Sequence, residues 1–155
     1  MNANLFALMI FLLIGTADLS LAQQGNDEQR QFQEVRSKAE QGDANAQYSL
    51  GYVYEKGEII PRNTEESMKW YRKAFEQIRK SAKAGDANAQ EKLGRMYANG
   101  LGISKDAAEA LTWYRKAAAA GNKVAQHYLA DALISDEGIA NRAEAVEWLK
   151  RILEN

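Results

Sequence analysis

A chain of 155 residues has room for one ordinary domain or a short repeat array, and 20 basic against 21 acidic residues leave a formal charge of −1. That balance creates no global field toward nucleic acid or an anionic membrane, so neither is expected as a partner of the folded part. The absence of cysteine excludes disulfides, thiolate nucleophiles and thiolate metal sites, and the single histidine, His127, leaves no histidine cluster for a metal; no cofactor is expected.

The stretch LFALMIFLLI, Leu5–Ile14, is ten apolar residues in a row. A membrane-spanning helix needs about 20. A shorter apolar run followed by small Ser20 and Ala22 predicts a secretory signal peptide over residues 1–22, cut after Ala22. The flank MNAN carries no Lys or Arg, so an uncleaved membrane anchor and a buried N-terminal helix are the alternatives. A cleaved signal peptide predicts an exported protein, periplasmic or secreted.

From residue 28 onward the chain repeats itself. At an offset of 43, Phe32–Gln47 lies on Phe75–Gln90, with GDANAQ present in both. Leu50-Gly51 falls on Leu93-Gly94, Tyr54 on Tyr97, Gly57 on Gly100, and Trp70–Ala74 on Trp113–Ala117. A third, more degenerate copy carries Gly121, Ala125-Gln126, Leu129-Ala130, Gly138 and Trp148. Self-similarity at this period predicts a helical solenoid. In the first helix of a unit Ala46, Leu50 and Tyr54 share a face by their spacing of four. The second helix opens on a capping pattern, Asn63…Glu66, Asp106…Glu109 and Asn141…Glu144, in which the cap accepts from the first turn and the Glu reaches back. Asp43 and Asp86 are the expected caps of the first helices, with Ala46 and Ala89 as close-packing positions. Gly57, Gly100 and Gly102 fall where the first helix must stop.

The pattern A-x-x-G-x-x-x-A-x-x-x-L-G-x-x-Y-x-x-G followed by A-x-x-W-Y-x-K-A-A-x-x-G resembles the SEL-one-like repeat (SLR) family, relatives of tetratricopeptide repeats. Residues 82–117 carry it whole. Residues 39–81 have Ser67 for the small alanine and Ile59 for the second loop glycine, and residues 118–155 have Ala130 for Gly and Leu133 for Tyr. The resemblance implies an all-α fold, an α-α superhelix of three helical hairpins whose concave face is lined by the first helices. Residues 23–38 are the expected N-terminal helix, a half-repeat cap, since Phe32, Val35 and Ala39 copy Phe75, Ile78 and Ala82. Trp70 stands 15 residues before Gly85 but Trp113 only eight before Gly121. Helix two of the first unit should therefore be longer by ~10 Å.

Little points to catalysis. His127 has only Asp131 at i+4 as a neighbour of interest; Glu65-Glu66 and Asp136-Glu137 suit helix starts; Gly100-Leu101-Gly102 lacks the Lys-Ser/Thr of a phosphate loop. Trp70, Trp113 and Trp148, with Tyr71 and Tyr114, recur in register and are expected core. No catalytic residue is assigned.

What varies between copies is more telling. Matched positions of the first helices read Tyr48, Glu91, His127; Tyr52, Arg95, Asp131; and Glu55, Ala98, Ile134. Within each helix these are i, i+4 and i+7, one stripe. A varied stripe of exposed aromatic and charged residues suits a groove for a protein or peptide, and the family's adaptor roles imply a non-catalytic interaction module. Tyr48, Tyr52, Glu55, Glu91, Arg95, His127 and Asp131 are the candidate binding residues. The alternatives are a member of, or accessory to, a cell-envelope hydrolase system, and a structural unit stacking end to end. For the last, Val146, Leu149 and Leu153 take the place of the inner stripe Leu111, Tyr114 and Ala118 and offer an end contact to a second copy or a partner.

Overall fold

The computed structural model describes residues 25–135 and 139–154, with side chains over 25–134 and 142–154. The expected signal peptide and residues Asp136, Glu137 and Gly138 lie outside them. The described residues form seven helices and no strand: α1 over 25–40, α2 Ala44–Lys56, α3 Thr64–Lys83, α4 Ala87–Asn99, α5 Ala107–Ala119, α6 Lys123–Ser135 and α7 Ile139–Leu153. Hairpins α2–α3, α4–α5 and α6–α7 stack in chain order, each packing on the next. None of the described helices is long and apolar enough to cross a membrane.

The repeated GDANAQ is a complete joint between hairpins. Gly42 and Gly85 take φ of 98° and 100°, a left-handed conformation that costs glycine least. The next N–H groups turn back on the ending helix, Asp43 to the Lys38 carbonyl at 3.1 Å and Asp86 to that of Ser81 at 3.2 Å. The aspartate side chains then cap the new helix: Asp43 accepts from the Ala46 N–H at 2.7 Å, and Asp86 from those of Asn88 and Ala89 at 2.9 Å. The glutamine closes the joint, since Gln47 Nε2 donates to the Ala39 carbonyl and Gln90 Nε2 to that of Ala82, both at 3.1 Å and both buried. The third joint repeats the scheme with Gly121, Asn122 as cap and Gln126 donating to Ala118 at 3.4 Å.

Within a hairpin the first helix stops at Gly57 or Gly100, both left-handed. The second helix starts at the expected caps, Asn63 and Asp106 accepting from the N–H of Glu66 and Glu109 at 3.0 Å. The expected return reach of those glutamates is corrected. The cap N–H groups already donate to the carbonyls of Tyr54 and Tyr97, at 2.9 Å each. The carboxylates serve elsewhere: Glu66 accepts from Lys69, Glu109 from the Trp113 indole, and Glu144 from Arg115. The third expected cap is also corrected, because α7 begins at Ile139 and Asn141 lies inside it.

The core runs through the joints. One cluster joins Phe32 and Ala39 of α1 to Ala46, Leu50 and Trp70. A second joins Tyr48 to Tyr71, Ala74 and Ile78 of α3, Leu93 and Met96 of α4, and Trp113. A third joins Tyr114 and Ala117 to Leu129, Leu133 and Trp148. Each tryptophan thus seals a cluster begun by the preceding hairpin or by α1, so no hairpin holds a core of its own. Helix α3 has 20 residues against 13 for α5, as the tryptophan-to-glycine spacing requires.

Candidate functional site

The first helices α2, α4 and α6 carry the varied stripe, and its geometry depends on how closely the second helices cross them. A Cβ on Gly51 would stand 2.8 Å from the Tyr71 ring, and one on Gly94 only 2.6 Å from that of Tyr114. The two glycines let the rings lie against the helix backbone. Tyr71 reaches through this crossing to donate its hydroxyl to Glu55 Oε2 at 2.7 Å, and its ring meets Tyr48 edge-on with centroids 5.2 Å apart. Tyr114 stacks on Tyr128 at 5.5 Å and an interplanar angle of 24°.

Two candidate residues are not where the stripe predicted. Tyr48 and Glu91 are buried, 5% and 8% exposed, beneath the surface rather than on it. Packing against Tyr71 draws Tyr48 into the core, and its hydroxyl has no hydrogen-bond partner among the described residues. Burial raises the Tyr48 phenol well above its usual range, with Arg95 pulling it back. Burial also pushes the Glu91 carboxyl up, against the pull of Arg95 and Lys92. Arg95 Nη1 lies 3.9 Å from Glu91 Oε1, an ion pair too long for a hydrogen bond, and that buried oxygen is otherwise without a hydrogen-bond partner among the described residues.

Around Arg95 the structure brings together residues from all three first helices. Its guanidinium carbon is 5.8 Å from the Tyr48 ring centre, 5.9 Å from Tyr52 and 5.7 Å from Tyr128, the outer range of cation–π contact. Tyr52 and Tyr128 are exposed at 38% and 36%. Lys56 Nζ lies 5.4 Å from the Tyr52 ring centre, and Lys92 Nζ lies 5.9 Å from that of Tyr48 while donating to Asn45 Oδ1. Tyr128, Lys56 and Lys92 were missed by the sequence stripe. Lys92 and Tyr128 sit one residue beyond Glu91 and His127, on the adjoining helical row, and the matched Ser49 gave that row no aromatic start. Glu55 is half-buried and occupied by Tyr71, whereas His127 and Asp131 are exposed on α6.

The remaining candidates are ordinary surface or helix-start groups. Glu65 and Glu66 occupy the first turn of α3, where the helix dipole favours acids. Among the described residues no group of three or more His, Asp or Glu side chains is placed to hold a metal ion. On α7, Val146, Leu149 and Leu153 are all exposed, Leu153 the most at 86%.

Comparison with known proteins adds the family. A family model described as "Sel1 repeat" matches residues 44–77, 87–122 and 123–155. The chitin synthase regulator SKT5 of Saccharomyces cerevisiae is 46% identical over 48 residues, which is 31% of this chain but only 7% of the yeast protein. A Sel1 repeat protein of Oxalobacter formigenes is 35% identical in a structural match covering 81% of this chain and 90% of that one, with a TM-score of 0.49. A protective antigen of uropathogenic Escherichia coli displaying an SLR fold is 28% identical, over 79% of this chain and 33% of that one, with a TM-score of 0.45. With three matched copies lying on three stacked hairpins, the chain belongs to the Sel1 repeat family.

Proposed function

We propose that this protein is a non-catalytic interaction module that binds a protein or peptide through the face of its first helices. Sel1 repeats are typically protein–protein interaction modules. The observation that carries the reading is the Arg95 cluster. Tyr52 and Tyr128, both exposed, come from α2 and α6 to one guanidinium on α4, at positions the repeat does not conserve between its own copies. Exposed tyrosines give contact area with few rotors to freeze. The apolar run near the N-terminus supports action outside the cytoplasm, in the periplasm or beyond the cell.

A second reading, contact through the α7 stripe with a second copy or another protein, is favoured by the exposure of Val146, Leu149 and Leu153. Co-purification from the native organism separates the two. Three baits are compared: the unaltered chain, Tyr52→Ala with Arg95→Ala and Tyr128→Ala, and Val146→Ser with Leu149→Ser. A protein retained by the first and third baits and lost by the second assigns binding to the first-helix face. Loss with the third bait alone moves it to α7.

A further inference from the structure

On α2 and α4 the charges of the first-helix face are arranged unequally, with carboxylates engaged and cations set on tyrosine rings. Its two carboxylates on α2 and α4 are withdrawn: Glu55 accepts from the Tyr71 hydroxyl, and Glu91 is buried beside Arg95. Its cations stand outward on tyrosine faces, Lys56 over Tyr52, Arg95 against Tyr52, Tyr48 and Tyr128, and Lys92 over Tyr48. Lys56 is exposed, Lys92 half-buried, and the Arg95 side chain retains 24% of its exposure. Read across the helices, the order is Lys56, Tyr52, Arg95, Tyr48, Lys92, a band in which cation and ring alternate. This band presents positive charge and the exposed Tyr52 ring, with Tyr48 buried beneath, on a chain whose total charge is −1, so the local sign is not a reflection of the whole molecule. The Tyr48 hydroxyl is buried beneath the band with no hydrogen-bond partner among the described residues, and its ring centre lies 5.8 Å from the same guanidinium.

We infer that the partner segment is an acidic peptide whose carboxylates align along α2 and α4 on Lys56, Arg95 and Lys92. Arg95 is the central anchor. Its planar fork pairs a carboxylate with two parallel hydrogen bonds, and a half-buried position strengthens them relative to a solvated pair. The flanking lysines supply charge without fixed geometry. Tyr52 and Tyr128 form the walls that keep the pair out of bulk water. Asp131, exposed on α6, sets the limit of the band, because a carboxylate placed beside it would meet like charge.

The inference rests on the first-helix face being the binding face, and the test distinguishes the two. Full-length protein is titrated, by fluorescence anisotropy, into labelled peptides of equal length: alternating Glu and Gly, alternating Lys and Gly, and alternating Ser and Gly. The Glu peptide is expected to bind at least about tenfold more tightly than the others, and to weaken as salt is raised. Arg95→Gln is expected to weaken it by about tenfold and Arg95→Lys to restore only part, since a point charge replaces the fork. Lys56→Gln with Lys92→Gln lies outside the core and weakens binding even if Arg95→Gln disturbs folding. Equal affinity for the three peptides overturns the inference, as does indifference of the Glu peptide to the lysine pair. Equal or tighter binding of oligo-dT or anionic vesicles overturns it in favour of a general polyanion site. If the native partner is lost with the Tyr52, Arg95 and Tyr128 bait while the peptides show no charge preference, the face stands and the acidic partner falls. If that bait keeps the partner, both fall.

Discussion

In the first two hairpins a tyrosine ring lies on a glycine of the facing helix, Tyr71 on Gly51 and Tyr114 on Gly94. At the matching positions the third hairpin carries Leu149 and Ala130. Ring and glycine change together: where the ring is present the Cβ is absent, and where the ring is gone the Cβ returns. The consequence reaches the first-helix face. Tyr71 holds Glu55 and props Tyr48, and Tyr114 stacks under Tyr128. No such ring stands at position 149, whose leucine is exposed while Tyr71 and Tyr114 are buried. The aromatic part of the wall is therefore built by two crossings and ends with Tyr128.

The sharpest way to break this contrast is to exchange its members. Gly94→Ala forces a Cβ to within 2.6 Å of the Tyr114 ring and is expected to cost about 1–3 kcal/mol in urea unfolding. The reverse change, Ala130→Gly, has no ring to admit; it loses helix propensity and a methyl buried in the third cluster and should cost about 1–2 kcal/mol. Adding Tyr114→Leu to Gly94→Ala should give a smaller loss than the two single changes summed, and strict additivity would show that ring and glycine are independent.

A smaller effect is expected at the joints. Gln90→Ala removes the donor that satisfies the Ala82 carbonyl and should cost about 1 kcal/mol. Gln126→Ala, whose bond is longer at 3.4 Å, should cost less. Equal losses would mean that the second and third joints contribute alike despite the longer bond.

The smallest change concerns Glu91. Burial raises its carboxyl, so the folded chain keeps the proton to higher pH than the unfolded chain. Stability is then greatest below the ordinary carboxylate range and falls as pH climbs from that range through the raised folded value. Glu91→Gln should remove this decline and lift the melting temperature slightly at neutral pH. A melting curve with an unchanged pH slope would discard Glu91 as its source.

The helices, their joints and most caps were legible because the same solution is written more than once: Asp43 and Asp86, Gln47 and Gln90, Asn63 and Asp106 occupy matched positions. The third second-helix cap was misread because the register degenerates there and α7 starts at Ile139, ahead of Asn141. The site was less legible. A stripe of i, i+4 and i+7 identifies neighbours on one helix, but Tyr48 is buried by a ring from α3 and Glu91 by its surroundings in the stacked array. Lys92 and Tyr128 join the cluster only through packing between hairpins, which period alone does not encode.

The joint also bears on how such a chain can grow. Its hydrogen bonds are drawn from a stretch of about ten residues, running from the last turn of one helix to the first turn of the next. A segment excised between Gly85 and Asp86 and between Gly121 and Asn122 takes with it one half of each flanking joint. Duplicated in tandem, it meets a copy of its own complement at the new seam. The array can thus be lengthened by whole hairpins without inventing a contact, and each insertion widens the face of the first helices by one row. Binding surface, in this architecture, is a quantity that gene duplication can dose.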